Sequence, residues 1–213
     1  MNKIKVYSLK ISGLDNDTLF DRAMSRVSPW RREKAERLCV RQKKNQSLGA
    51  GLLLDYVLDS MGAGQPEIRE NEYGKPYIPD SDLYFNLSHS GDYAICAAGY
   101  APVGCDIQKI RKIDKTVAQR CFSREEFDYI VSRGGGDRLI CEMWSLKESY
   151  VKAVGTGLAD TPEFCIDISG GTPALHNTPY HFRQFEFEDY VCAVCTTAED
   201  IENITEIKPD DIL

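Results

Sequence analysis

The chain has 213 residues, 42% of them apolar and 28% charged, a balance that fits a folded globular protein and excludes a disordered or fibrous one. Its formal charge of −7 argues against a surface that tracks a nucleic-acid backbone, yet leaves room for a local basic pocket holding a small phosphorylated ligand. No run approaches the roughly 20 apolar residues of a membrane span, and the start Met1-Asn2-Lys3-Ile4-Lys5-Val6-Tyr7 lacks a signal peptide's apolar core, so a cytoplasmic protein without membrane contact is expected.

Residues 3–11 read as a strand on Ile4, Val6, Leu9 and Ile11. Ser28-Pro29 predicts a helix start, with a capping hydroxyl and Pro at the first helical position, opening the charged segment Trp30-Arg31-Arg32-Glu33-Lys34. An apolar helix runs through Ser47–Leu54 and ends near Met61-Gly62. Tyr73-Gly74-Lys75-Pro76 is turn chemistry, followed by strands over 84–88 and 93–98 and a third opening at Val103-Gly104-Cys105-Asp106-Ile107. The second half repeats that order, with helical segments over 114–131 and 137–154 and strands near 163–168, 180–188 and 190–196. Two α+β halves of about 100 residues each are expected, with an acidic, peripheral tail after Thr197.

The eight cysteines are scattered, and the one C-x-x-C, Cys192 and Cys195, lies in a strand-like run where positions i and i+3 point to opposite faces. Buried, reduced thiols are expected rather than a zinc site.

Three clusters could carry chemistry. In Gly104-Cys105-Asp106-Ile107-Gln108, strand alternation puts Asp106 and Gln108 on one face, and an Asp at a strand end beside a Gly is a common Mg2+ ligand, although a lone strand Asp is more often a turn or cap residue. Along 139–154, Leu139, Met143, Leu146, Tyr150 and Val154 form an apolar stripe, placing Glu148 opposite it and Lys152 one turn further. That pair reads either as a solvated i, i+4 pair or as a functional face, and Trp144 on the same side favours a covered face. Asn86-Leu87-Ser88-His89-Ser90 reads as a turn whose hydroxyls and imidazole either hold a phosphate or satisfy their own backbone.

In order, Tyr73-Gly74-Lys75-Pro76, Phe85-Asn86-Leu87-Ser88-His89-Ser90-Gly91, Val103–Ile107 and Trp144–Ala153 closely resemble the phosphopantetheinyl transferase family, in particular its longer surfactin-synthetase-activating group. Ser28-Pro29 with its basic helix and Arg120-Cys121-Phe122-Ser123 with Glu126 extend the likeness over nearly the whole chain. The resemblance implies an α+β monomer of two similar half-domains, 1–102 and 103–213, related by a pseudo-twofold with coenzyme A in the cleft between them. It implies Mg2+-dependent transfer of 4′-phosphopantetheine from coenzyme A to a serine of an apo carrier protein, releasing adenosine 3′,5′-bisphosphate. Asp106 and Glu148 would ligate Mg2+, Glu148 or a water it holds would deprotonate the serine, and Lys152 would contact the transferred phosphate. Arg31, Lys34, Lys75, Ser88 and His89, with Ser47 near the same end, would grip the adenosine phosphates. Many relatives carry a third acid where this chain has Gln108, whose amide can offer one oxygen to the metal but no charge.

Two rivals remain at this point. One is a non-catalytic coenzyme A or carrier-protein binding module, with Gln108 as the lesion. The other is a Mg2+-dependent pyrophosphatase, for which Arg124-Glu125-Glu126 is a partial signature lacking the further acids and glycine.

Overall fold

The first strand, β1 (Lys3–Lys10), is buried on both faces: Ile4 and Val6 point one way, Tyr7 and Leu9 the other. Two apolar faces demand two partners. In the computed structural model, which describes residues 2–157, 164–168, 170–187 and 189–213, these partners are a helical layer and a second sheet.

Helices α1 (Asp17–Arg26), α2 (Pro29–Glu36) and α3 (Arg41–Ser60) make the helical layer. The sequence reading missed α1, which the Asn16 side chain caps by accepting from Leu19 N–H. Pro29 opens α2 as expected, but the Ser28 hydroxyl makes no cap; the Ser28 N–H donates instead to Asp55 Oδ2 at 2.8 Å. After a two-stranded ribbon, β2 (Arg69–Glu70) and β3 (Pro76–Tyr77), the hairpin β4 (Tyr84–Ser90) and β5 (Tyr93–Gly99) completes the first sheet.

The second half runs β6 (Val103–Lys109), α4 (Lys115–Cys121), α5 (Arg124–Ser132), α6 (Asp137–Val154), β7 (His181–Phe187) and β8 (Tyr190–Thr196). The expected helix over 114–131 is broken at Ser123, where a capping box with Glu126 starts a new one. Within the expected strand at 163–168, residue 163 lies outside the described residues, and 164–168 form just a single bridge, Asp167 with Ala174.

The two halves share a connectivity. Strands are ordered β4-β5-β1 in one sheet and β7-β8-β6 in the other, antiparallel throughout. The first sheet then gains β9 (Asp200–Ile207), which runs parallel to β1. The tail is therefore not peripheral: Ile201 and Ile207 are buried, and a last turn, α7 (Pro209–Ile212), buries Ile212. Helices α1–α3 cover the outer face of the first sheet, the sheets pack on each other through Ile95, Ala97, Cys105, Ile107, Cys192 and Val194, and α4–α6 cover the second sheet. Cys192 faces the inter-sheet core and Cys195 the helical one, the divergence expected of a strand. All eight cysteines are free, though Cys39 and Cys165 are exposed.

The sheets meet at β4 and β6 through side chains. Asn86 Oδ1, Ser88 Oγ and Ser90 Oγ accept in turn from the backbone N–H groups of Cys105, Ile107 and Lys109, at 2.8, 3.3 and 3.0 Å. The strand expected over 84–88 is present and runs on through His89 and Ser90, where a turn was expected. Its alternate polar residues stand in for the main chain of a neighbouring strand.

Candidate active site

Asp106 sits in the middle of β6 with its carboxylate almost wholly buried, 2% exposed. Alternation sends Cys105 and Ile107 into the inter-sheet core and Asp106 and Gln108 toward α6. The helix lies close because Gly104 has no side chain: a Cβ there would stand 2.1 Å from Ser149 O and 2.3 Å from Ala153 N. Ser145 Oγ adds a bond to Asp106 O at 3.0 Å. The residues that meet β6 are thus Ser145, Ser149 and Ala153, a stripe of small side chains at helical spacing. The apolar stripe read from the sequence is displaced accordingly: Met143 and Leu146 are buried, but Val154 is 41% exposed. Trp144 packs edge-on against Phe122, so the face it occupies is covered, as expected.

That register brings Glu148 and Lys152 over Asp106. Lys152 Nζ lies 2.6 Å from Asp106 Oδ1 and 3.8 Å from Glu148 Oε2, and it donates to Ser88 Oγ at 3.3 Å. Ser88 Oγ donates to Asp106 Oδ1 at 2.9 Å, and Gln108 Nε2 donates to Asp106 Oδ2 at 2.8 Å. Burial raises the Glu148 carboxyl above its ordinary range, Lys152 opposes the rise and Asp106 adds to it. Burial would depress the Lys152 ammonium, but the two carboxylates outweigh it and leave the ammonium above lysine's ordinary value.

Two features fit this group to a divalent cation. A positive charge already sits between two carboxylates, and Glu148 Oε1 is buried without a hydrogen-bond partner. Such an orphaned anionic oxygen is costly unless a cation or donor completes it. Among the described residues no group of three or more His, Cys, Asp or Glu is gathered for a metal, in keeping with Gln108 standing where a third acid would.

A basic wall faces this group from the first half. Arg31 on α2 is buried beside Gly51 of α3, where a Cβ would meet the arginine side chain at 2.1 Å. Burial pushes its guanidinium down to about 10 against the pull of Asp55 and Glu70, and its Nε has no partner. Lys34 lies over the Trp30 ring at 4.7 Å and is paired with Glu70. Ser47 is buried one turn before Gly51; Lys43, which the sequence reading missed, is exposed one turn before Ser47. The i, i+4, i+8 spacing of Lys43, Ser47 and Gly51 was its available signal.

His89 points to the opposite side of β4 from Ser88, so the two do not form one grip as expected. Its pKa is pushed down to about 4, first by desolvation and then by the charges of Lys152, Lys43 and Arg31, although much of its surface meets solvent. Lys152, Lys43 and Arg31 thus lie close enough to His89 to disfavour its protonation. Lys75 borders the carboxylate–lysine group, its Nζ donating to Ala153 O at 2.8 Å and Val103 O at 3.3 Å. Beside it a cleft of about 250 Å3 is lined by Tyr73, Leu87, Glu148, Lys152 and Gly157.

Another pair escaped the sequence reading. Lys147 and Glu126 are an ion pair with both side chains 0% exposed, at 2.9 Å. Lys147 also donates to Phe164 O, while Glu126 accepts from Ile166 and Ser123 N–H. It ties α5 and the 164–166 segment to α6.

Two helix-backed sheets thus carry a buried carboxylate–lysine group that borders a cleft. Residues 102–195 match the model of the 4′-phosphopantetheinyl transferase superfamily. The 4′-phosphopantetheinyl transferase Sfp of Bacillus subtilis strain 168 is 30% identical, covering 99% of this chain and 100% of its own. A second B. subtilis transferase, ffp, is 31% identical over the same shares, and gsp of Aneurinibacillus migulanus is 29% identical over 95% of this chain and 90% of its own. The chain belongs to the 4′-phosphopantetheinyl transferase family and is a transferase. Among solved structures, the holo-[acyl-carrier-protein] synthase of Thermotoga maritima is 22% identical, with a TM-score of 0.39 over 45% of this chain and 61% of that one.

Proposed function

We propose that this enzyme transfers 4′-phosphopantetheine from coenzyme A to a serine hydroxyl of an apo carrier protein of fatty-acid, polyketide or peptide-synthetase type. The observation that carries the reading is the Lys152 ammonium held between Asp106 and Glu148, with one Glu148 oxygen unpartnered, beside a cleft that Glu148 and Lys152 line together with Lys75. Asp106 and Glu148 would hold Mg2+, with Gln108 as a third, uncharged ligand or as the donor that orients Asp106. The metal would neutralise charge on the coenzyme's pyrophosphate.

The chain's own residues supply the rest. Arg31, Lys34, Ser47, Lys43 and His89 would bind the adenosine phosphates, and Lys75 and Ser88 flank the path to the reacting phosphate. The serine oxygen forms a bond to the phosphorus bearing pantetheine while the bond to the bridging pyrophosphate oxygen breaks, and adenosine 3′,5′-bisphosphate leaves. Lys152 would neutralise charge on the transferred phosphoryl group. The serine proton would pass to Glu148, whose raised pKa suits a general base, or to a water it holds.

Both walls of the cleft come from one chain, which supports a monomer, and eight free thiols support a reducing, cytoplasmic setting. Among the described residues no helix is long and apolar enough to cross a membrane, and the formal charge of −7 argues against a nucleic-acid partner. The test is mass spectrometry of several apo carriers incubated with coenzyme A and Mg2+. One phosphopantetheine added per carrier, abolished by EDTA and by Asp106→Asn, is expected. Release of bisphosphate without any carrier, or full transfer in excess EDTA, would overturn the reading.

A further inference from the structure

The site depends on a distance that neither β6 nor α6 sets alone. Asp106 belongs to β6 and Glu148 and Lys152 to α6, and the two elements touch along three points. Ser145 meets Asp106 O, Gly104 accommodates Ser149 O and Ala153 N, and at the far end Lys75 bonds Ala153 O and Val103 O together. The first two contacts are native to the second half. The third comes from the first half, on the turn between β2 and β3.

That turn is itself tied to the same helix end. Asn71 Nδ2 donates to Gly155 O at 2.9 Å, while Asn71 Oδ1 accepts from Tyr73 N–H at 3.0 Å and Lys75 N–H at 2.9 Å. Gly155 closes α6 in the left-handed conformation, φ +86°, and its N–H returns to Val151 O. The last turn of a helix leaves four carbonyls without intrahelical partners and concentrates negative partial charge. Here Ala153 O takes an ammonium and Gly155 O takes an amide. Tyr73 lies against Gly157 just beyond.

We propose that Lys75, held by Asn71, is a positioning residue: a strut from the first half that fixes the end of α6 on the start of β6 and so sets Glu148 and Lys152 against Asp106. This rests on the transferase reading above and gives Lys75 a different task from a coenzyme-phosphate ligand. Two of its three N–H donors are engaged with carbonyls of the second half. Burial pushes its ammonium down to about 8, the mark of a charge drawn out of water toward neutral acceptors.

The two roles differ in what they damage. A phosphate ligand acts on coenzyme binding and should matter less for dephospho-coenzyme A, which lacks one phosphate. A strut acts on the spacing of the reacting groups, where displacement of about 1 Å costs up to roughly 100-fold in rate. The experiment compares Lys75→Met and Asn71→Ala with the wild-type enzyme, using coenzyme A and dephospho-coenzyme A with an apo carrier, and reads amide exchange of the ligand-free proteins.

For both variants kcat is expected to fall about 10–100-fold with either substrate. The ratio of the two KM values should stay as in wild type, and exchange at Val151–Gly155 should accelerate. Asn71 lies off the coenzyme phosphates in either view, so its sharing the Lys75 phenotype is the sharper arm. The strut is overturned if Lys75→Met raises KM for coenzyme A selectively with kcat held, or if exchange at Val151–Gly155 is unchanged in both variants. Failure of the wild-type enzyme to modify any carrier would count against the transferase reading, while the exchange arm still decides the strut.

Discussion

Replacing Gln108 by Glu tests the metal assignment with the smallest change of shape. Gln108 Nε2 donates to Asp106 Oδ2 at 2.8 Å, so Gln108→Glu exchanges an attractive contact for two carboxylates at close range. Two unit charges 4 Å apart repel by about 4 kcal/mol at an effective dielectric constant of 20. Solvent reaches Gln108, which takes away roughly half of that and leaves about 2 kcal/mol of tension in the metal-free protein. A divalent cation relieves that tension on binding, so metal affinity without coenzyme should rise about thirtyfold. The wild-type enzyme, with two carboxylates already sharing Lys152, should bind Mg2+ weakly until coenzyme A supplies pyrophosphate oxygens. Calorimetry of both proteins with Mg2+, with and without coenzyme A, reads both expectations. Wild-type binding well below millimolar without coenzyme, or unchanged affinity in the variant, would show that Gln108 and Asp106 do not face the metal together.

Removing the buried counter-ion by Glu126→Ala strands the Lys147 ammonium in a 0% exposed site and should cost about 3–5 kcal/mol. That corresponds to a Tm lower by roughly 6–20 °C in a ligand-free melt, and a shift of a degree or two would mean the pair contributes little. Arg31→Ala should raise KM for coenzyme A roughly 10–100-fold with kcat little changed, and should do less with dephospho-coenzyme A; equal damage with both would place Arg31 away from the extra phosphate. His89, at about 4 in the free enzyme, is neutral at pH 7, and a bound polyanion must raise that value. Coenzyme binding should therefore take up a proton and tighten as pH falls, more steeply in wild type than in His89→Gln; parallel slopes by calorimetry would remove His89 from the phosphate site.

The parts of the site legible in the sequence were those set by local periodicity. Alternation along β6 places Asp106 and Gln108 on one face, and helical spacing on α6 puts Lys152 one turn beyond Glu148. Contacts between elements were not legible. Lys75 reads as part of a turn until α6 ends beside it, and the Asn86, Ser88 and Ser90 side chains read as phosphate-holding or self-satisfying groups until β6 lies alongside. The β9 strand was hidden for a different reason. Ile4 pairs with Ile201 and Val6 with Ile204, so β9 carries one extra residue between Ile201 and Ile204, a bulge that spaces these two same-face residues by three and breaks the period of two.

The side-chain joint between β4 and β6 explains why the site lies where it does. A main-chain ladder would draw the two strands to about 4.8 Å and fuse the sheets into one continuous surface. Bridging them with Asn86, Ser88 and Ser90 holds the edges further apart while still satisfying the N–H groups of Cys105, Ile107 and Lys109. Asp106 is the acidic residue of β6 beside that joint, on the face that α6 covers. Ser88 then serves both purposes at once: its oxygen accepts from Ile107 N–H to hold the halves together, and its hydroxyl donates to Asp106 within reach of Lys152. Ser88 thus ties β4 to the Asp106 carboxylate, while Lys75 ties the turn before β3 to the end of α6.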